Sequence, residues 1–301
     1  ALNAPNFLRS LNKAPFFISI NSLLFHRFLY LKLLFRQFYL GIIMLRFILG
    51  LLLFVSLEAS STVDYNDFET NPFMSSDERE TVRPYILPFD YPIREKLDLI
   101  FYRTRATKDI NSLVEAGFQI LKKKSRSFII VASHPDVPGY IFKLHLDTEL
   151  RKKHGKPGWW WFSQRVKGAR ALANEIERKQ YKKLKAAKKW IYPLPVYPEA
   201  PSGQGYERKN VVLIAQFFEL LDKKSNLEAW KTQITNKHLE QLYAVLKKCG
   251  GNSMRPDNIP FDKNGHICFI DTEYPKAHTN WNTIREYLSP KMQQVWDIIV
   301  R

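Results

Sequence analysis

An amide and a carboxylate stand at the two ends of a short predicted hairpin near the end of the chain. Asn258 closes a loop that follows two glycines, and Asp271 follows the alternating apolar strand predicted over residues 266–270. Residues 262–265 read D-K-N-G, a turn signal between two strands. Because amide and carboxylate oxygens are ligands for hard cations, the pair predicts a site for Mg²⁺ or Mn²⁺. The alternative is an ordinary hairpin with two solvated polar residues.

The loop before this amide carries further polar residues in an informative order. Residues 254–258 read M-R-P-D-N, and residues 271–273 read D-T-E. This order resembles the catalytic loop and metal-binding strand of protein-kinase-like phosphotransferases, H-R-D-L-x-x-x-N followed by D-F-G. The resemblance implies that the amide and the carboxylate hold the metal and that Arg255 contacts the transferred phosphate. Ser253 stands at the position of the catalytic aspartate, so the usual base is missing.

A lysine lies inside an otherwise apolar strand further upstream. Alternating apolar segments within residues 118–146 predict three strands, and Lys143 lies in the third. This strand resembles the V-A-I-K strand of the same family, whose lysine holds nucleotide phosphates. By the same resemblance, Glu175, on the helix predicted over residues 164–187, is its ion-pair partner. The alternatives are a solvated lysine on an edge strand and an exposed glutamate on a Lys-rich helix.

Two further segments bear on nucleotide binding. The apolar run over residues 210–220 resembles the buried strand and hinge where kinases hold the adenine of ATP. The expected hinge residues are Gln216, Phe217, Phe218 and Glu219. Residues 122–127 contain three lysines and an arginine where the family has a glycine-rich phosphate loop. Side-chain charge would there replace the approach of bare backbone to phosphate, and a solvated basic hairpin is the alternative.

Aromatic and basic residues are concentrated around the predicted helix. Residues 155–162, which we interpret as an insertion before the helix, include three adjacent tryptophans at positions 159–161. We expect some of them to cover the helix and one to form a binding surface. The six lysines between positions 179 and 189, ending with Lys188 and Lys189, predict a strongly basic helix end.

The formal net charge of +17 over 301 residues favours an acidic partner: a nucleotide, an acidic protein or a phospholipid surface. Nucleic acid is disfavoured, because no base-reading motif is present. Cys249 and Cys268 are the only cysteines, which excludes a disulfide framework or a zinc cluster and leaves room for one bridge.

The start of the chain is apolar and lacks acidic residues before Glu58. The apolar run over residues 38–57 is long enough to span a bilayer. If the natural start is Met44, the same region reads as a signal peptide, with cleavage near residues 60–62. We therefore expect a secreted or periplasmic protein, with a single-pass membrane anchor as the alternative.

These patterns predict an α+β protein, and the resemblance implies a protein-kinase-like two-lobed fold. Residues 1–61 would be the targeting segment and residues 62–95 a loosely packed polar linker. The kinase-like domain would cover residues 96–301. Its antiparallel-sheet N-lobe would end near residue 220, and a reduced helical C-lobe would follow.

Two functional hypotheses remain open. The first is a secreted atypical kinase-like protein that binds ATP and Mg²⁺ or Mn²⁺, with weak or absent phosphotransferase activity. Asp257 and Glu273 are then the nearby carboxylates that could replace the missing base. The second is a non-catalytic secreted protein that uses a kinase-like scaffold to bind an acidic partner or a membrane surface.

Overall fold

The structure, a computed structural model, describes residue 44, residues 66–251 and residues 254–301. The chain divides into two units, Ala1–Ser61 and Thr62–Arg301, and the elements below belong to the second. Apart from Met44, the predicted targeting segment lies outside the described residues, and so does Ser253. Among the helices that are described, none is long and apolar enough to cross a membrane.

The strands form one five-stranded and one two-stranded sheet. They are β1 (Gln119–Lys124), β2 (Ile129–Ser133), β3 (Tyr140–Leu144), β4 (Leu184–Ala186), β5 (Lys189–Pro193), β6 (Val211–Gln216) and β7 (Ile267–Phe269). The large sheet has the order β1-β2-β3-β6-β5, with every neighbouring pair antiparallel. The predicted α+β class and antiparallel sheet are confirmed. Because β3 is the central strand, the alternative of an edge strand for Lys143 is wrong.

The helices of the described residues surround these sheets. They are α1 (Asn66–Thr70), α2 (Ser76–Val82), α3 (Arg94–Arg103), α4 (Ile110–Glu115), α5 (Gly158–Arg178), α6 (Lys223–Thr232), α7 (Asn236–Cys249), α8 (Trp281–Arg285) and α9 (Pro290–Ile299). Helix α7 ends at Cys249 and is capped by Gly250, whose φ of 75° a glycine adopts without strain. Helices α8 and α9 lie near the end of the chain.

Both faces of the large sheet are covered, because successive side chains of a strand point to opposite faces. On one face, Phe142 shares a hydrophobic cluster with Leu97 of α3. On the other, Leu213 shares a cluster with Phe162 of α5. Lys143 alternates with Phe142 and is paired with Leu213, so its side chain belongs to the face that α5 covers.

A second hydrophobic core joins the helices to the hairpin that precedes Asp271. Its fully buried aromatic side chains include Trp230 of α6, Phe261, Phe269 of β7 and Trp296 of α9. Strand β7 pairs in parallel with β4, which follows α5. The hairpin is therefore held between the helices and the strand that leads back to the large sheet. Neither cysteine forms a disulfide bond.

The interpretation of residues 62–95 as a loosely packed linker is wrong for the part that is described. Phe68, Met74, Val82 and Leu87 are all buried, because they cover apolar faces of the large sheet. The backbone N–H of Leu87 also donates a hydrogen bond to Ile191 of β5 at 2.9 Å. This segment is an integral part of the fold.

The three tryptophans are also placed differently from the prediction. Helix α5 begins at Gly158, so residues 159–161 form its first turn instead of an insertion before it. Trp161 is buried, whereas Trp159 and Trp160 are half-buried. The basic turn predicted over residues 122–127 is shorter, because β1 continues to Lys124.

Glu78 of α2 is a buried carboxylate with an unusual titration. Burial raises its pKa from 4.5 to about 7, although the side-chain amide of Asn210 donates a hydrogen bond to it at 3.0 Å. A carboxyl whose pKa is raised in the folded state favours folding at low pH. That contribution is fully present below about pH 4.5 and is lost as the pH rises through about 7.

We expect Glu78→Gln to remove most of this pH dependence, because glutamine keeps the acceptor oxygen and has no charge to bury. The difference in unfolding free energy between pH 5 and pH 8 should change by about 2 kcal/mol, measured by urea denaturation. The control is Glu80→Gln, which removes the same charge from an exposed position on the same helix. Equal effects of the two substitutions would show that Glu78 is not the titrating group.

Candidate functional site

Helix α5 lies directly against the segment that follows β7. A Cβ atom at Gly168 would collide with the backbone carbonyl oxygen of Thr272, so this approach requires glycine. The Thr272 hydroxyl donates a hydrogen bond to the carbonyl oxygen of Arg165, one helical turn earlier, at 2.6 Å. The approach places the side chain of Arg165 beside Asp271 and Glu273.

Cations surround the two carboxylates of this segment. Lys124 Nζ lies 3.2 Å from Asp271 Oδ2, and Arg165 Nε lies 3.4 Å from Asp271 Oδ1. Glu273 forms ion pairs with Arg165 and Lys153. Five basic residues thus meet two acidic ones. We call the basic residues the cation cluster: Lys124, Lys143, Lys153, Arg165 and Lys189.

Two buried lysines of the cation cluster donate hydrogen bonds to the backbone. Lys143 Nζ and Lys189 Nζ both bond the carbonyl oxygen of Ile270, at 3.3 and 3.1 Å. Lys189 also donates to the Thr272 hydroxyl at 2.8 Å. The prediction that it belongs to a basic helix end is wrong, because residue 189 begins β5 and is 2% exposed.

The pKa values of these groups reflect burial and the excess of positive charge. Burial alone would raise the pKa of Asp271, but Lys143, Arg165, Lys124 and Lys189 together hold it well below its usual range. Burial lowers the pKa of Lys143 to about 8, against the attraction of Asp271. Burial, with the nearby charge of Lys143, holds the pKa of Lys189 well below its usual value. Asp271 is therefore ionised, whereas the two lysines lose protons easily.

The predicted ion pair between Lys143 and Glu175 is wrong. Glu175 is buried and accepts hydrogen bonds from Arg178, on its own helix, at 2.7 to 3.0 Å. The opposite charge that acts most strongly on Lys143 is that of Asp271. Arg165 lies about 15 Å before Glu175 along the helix, and it is the α5 residue that reaches the cluster.

The residues of the loop over positions 254–258 lie partly in the interior and partly at the surface. The N–H of Ile270 donates a hydrogen bond to the carbonyl oxygen of Asn258 at 3.2 Å, so buried Asn258 lies next to the segment that carries Asp271. Arg255 and Asp257 are exposed and face each other at 3.5 Å. The backbone contact brings Asn258 near the segment that carries Asp271, and the role of the two side chains as metal ligands stays a prediction.

The expected hinge connects the large sheet to the hairpin. Gln216 ends β6, and the N–H of Phe217 donates a hydrogen bond to the carbonyl oxygen of Gly139 at 2.8 Å. Phe218 is half-buried, whereas Gln216, Phe217 and Glu219 are exposed. Glu219 forms an ion pair with Lys263 of the hairpin turn at 3.1 Å.

Whether a divalent cation fits beside Asn258 and Asp271 depends on the charge of the ligand that accompanies the cation. Asn258 and Asp271 offer oxygen ligands, but the oxygens of Asp271 already face Lys124 and Arg165. Among the described residues, no group of three or more His, Cys, Asp or Glu side chains could hold a metal. The surrounding positive charge repels a bare ion, so these residues fit Mg²⁺ or Mn²⁺ only when a polyanion brings compensating charge.

Several residues of the site were not predicted as members. Arg165 and Lys153 carry no motif, and Gly168 lies inside a helix where its packing role leaves no signal in one sequence. Lys189 had a usable signal, since it starts an apolar stretch that pairs as a strand.

Neither protein-family models nor curated proteins match this chain, and the assignment of function rests on the residues described above.

We expect Gly168→Ala to lower the unfolding free energy by about 1–3 kcal/mol, because the added methyl group pushes α5 away from Thr272. Urea denaturation measures the change. The control is Lys167→Ala at the exposed neighbouring position, which should change stability by no more than about 0.5 kcal/mol. If the two variants were equally stable, α5 would not lie against residues 271–273.

Proposed function

We propose that this protein is an atypical kinase-like protein that binds a nucleotide through its phosphates at the cation cluster, with weak or absent phosphotransferase activity. The observation that carries the proposal is the excess of cations: five basic residues meet at Asp271 and Glu273, and Lys143, Arg165 and Lys189 are each at least 95% buried. Buried positive charge without full compensation is costly unless an anion shares the site.

The order of elements supports a two-lobed kinase-like arrangement. A three-stranded meander carries the lysine, a long helix follows, and two further strands complete the sheet. The connector over residues 217–221 then leads to helices, the Asn258 loop and the hairpin before Asp271. This is the order that the sequence resemblance implies, with Arg165 at the cluster in place of the expected glutamate.

The proposed roles follow from charge and position. Lys143 and Arg165 would bind phosphate oxygens, since ammonium and guanidinium groups form the strongest hydrogen bonds to anions. Lys124, which is partly exposed at the end of β1, would contact the phosphates from the sheet side. Asn258 and Asp271 would hold the Mg²⁺ or Mn²⁺ that accompanies the nucleotide. When bound, the ion supplies neutralisation of phosphate charge.

Weak or absent phosphotransfer is expected because no carboxylate within the described residues is placed to act as the general base. Ser253, outside the described residues, has no carboxylate where the family has its base. Asp257 is exposed and paired with Arg255, and the oxygens of Glu273 are paired with Arg165 and Lys153. None of the described carboxylates is placed as an obvious substitute.

A binding-only function is the second candidate, and one observation favours it. The positive charge that kinases recruit as metal ions is here carried by side chains around Asp271. Such a site can bind an acidic partner without turnover. Secretion or export by a signal peptide within residues 1–61 is compatible with both candidates and is part of the proposal.

We expect Lys143→Met to weaken ATP binding at least about tenfold, because it removes a charge-assisted hydrogen bond to phosphate. Calorimetric titration with ATP, with and without Mg²⁺, measures the affinity. The control is Lys123→Met, which removes the same charge from an exposed position on β1. Asp271→Ala should abolish the metal-dependent part of the affinity. Unchanged ATP binding by Lys143→Met would contradict the proposed phosphate site.

Restoring the missing carboxylate tests turnover. We expect Ser253→Asp to raise ATP hydrolysis or phosphotransfer by up to about 10²–10⁴-fold, the usual contribution of a general base. Ser253→Asn is the control, because it has nearly the same size and no basic oxygen. Phosphate release from ATP measures the rate. If ATP binds and neither variant shows turnover, the binding-only candidate is supported and the phosphotransferase candidate is rejected.

A further inference from the structure

A second basic cavity lies at the beginning of α5, outside the segment 271–273. Its volume is about 220 Å³, below the roughly 300–1,000 Å³ of pockets for drug-sized ligands. It is bounded by the end of β3, the beginning of β6, the segment before α2 and the first turn of α5. The cavity suits an ion or a small molecule rather than a whole nucleotide.

The helix end that faces this cavity is open to a ligand. Pro157 precedes α5, and no side chain caps the helix. The first backbone N–H groups of a helix have no partner within it, and the N-terminus carries partial positive charge. Gly158, the first helical residue, has no side chain to cover them, and a Cβ atom there would collide with the ring of His145.

Polar atoms without partners point independently to a ligand. His145 is 7% exposed, and its Nε2 atom has no hydrogen-bond partner. Asn210 is equally buried, and its Oδ1 atom has none either. A third such atom in the lining of this cavity is Nε of Arg208. Buried polar atoms are normally bonded, so three in one cavity indicate a missing partner.

The chemistry of these atoms defines the partner. Burial lowers the pKa of His145 to about 4, and the ring bonds the backbone of Phe128, so Nε2 of the neutral ring is an acceptor. Asn210 Oδ1 is also an acceptor. Around them, the cavity has six basic residues and two carboxylates, Glu78 and Glu207. Lys156 and Arg208 form no ion pair with any residue that the structure describes. A ligand that carries both negative oxygens and a hydroxyl proton satisfies these groups together.

We propose that this cavity binds a small phosphomonoester or hydrogen phosphate ion. The anionic oxygens contact Lys156, Arg208 and the N–H groups at the start of α5, and the P–O–H or a neighbouring hydroxyl donates to His145 Nε2. Trp159 and Trp161 line the same cavity and cover the organic part of a phosphomonoester. The proposed contacts differ from those of the proposed nucleotide site, and Lys153 is the cluster member that lines both regions.

Sulfate is the informative competitor, because it has the size and charge of hydrogen phosphate but no proton to donate at neutral pH. We expect orthophosphate to bind the full chain saturably in equilibrium dialysis, and sulfate to bind at least about tenfold more weakly. In the unmodified protein, orthophosphate should shift the nitrogen NMR resonance of His145 Nε2, and sulfate should not. Equal affinity for the two ions, or no binding of orthophosphate, would overturn the proposal.

Matched charge variants locate the site. Lys156→Gln with Arg208→Gln should weaken orthophosphate binding at least about tenfold. Lys231→Gln with Lys248→Gln removes the same charge from exposed positions on α6 and α7 and should leave it unchanged. The measurements are made in the Lys143→Met background, which weakens any binding of orthophosphate at the cation cluster. An equal loss in both double variants would show non-specific attraction only and overturn the proposal.

The same variants separate this site from the nucleotide site. Lys156→Gln with Arg208→Gln, with residue 143 unchanged, should bind ATP as the unmodified protein does. Lys153 is left intact throughout, because it lines the cavity and also pairs with Glu273. If Lys143→Met lost ATP binding and kept orthophosphate binding, the result would support both sites. If Lys143→Met or the double variant Lys156→Gln with Arg208→Gln lost both ligands in parallel, the result would contradict two separate sites.

Discussion

The electrostatic balance around Asp271 is the constraint on which this structure depends. Its carboxylate compensates part of the charge of Lys124, Lys143, Arg165 and Lys189, which come from β1, β3, α5 and β5. Removing one partner from a buried charge group typically costs about 3–5 kcal/mol, because the remaining charge is left without compensation. The large sheet, the long helix and the hairpin therefore meet at one carboxylate, and the same contact that stabilises the fold creates the candidate site.

The excess of positive charge extends from the region around Asp271 to the cavity at the beginning of α5. Lys153 pairs with Glu273 and also lines the cavity at the beginning of α5, so the two basic regions are neighbours along the first turns of one helix. Its ammonium group also lies 4.4 Å from the ring centre of Trp161 and is held by cation–π attraction. One helix thus contributes an arginine to the first region and an uncapped N-terminus to the second.

Local patterns predicted the elements, whereas the site depends on contacts between them. The hairpin turn was predictable because Asp262 accepts hydrogen bonds from the backbone of Asn264 and His266, all within five residues. The sequence did not predict that Arg165, and not Glu175, is the α5 residue at the cation cluster. This depends on where α5 starts and on the close approach of the helix to Thr272 at Gly168. The buried helices of residues 66–95 were missed because their apolar residues are widely spaced and the sheet they cover is formed later in the chain.

Anion binding at the cation cluster, as proposed, would be coupled to protonation, because two of its lysines have lowered pKa values. Burial lowers the pKa of Lys143 to about 8 and holds that of Lys189 well below its usual value. A bound phosphate favours the charged form of both groups and raises their pKa values, so binding takes up protons. The affinity for an anion must then fall as the pH rises above about 8. A metal ion held by Asp271 alone would have the opposite effect on the lysines, because it adds positive charge beside them. The direction in which a ligand shifts the pKa of Lys143 therefore distinguishes a bound phosphate, which raises it, from a bare cation, which lowers it further.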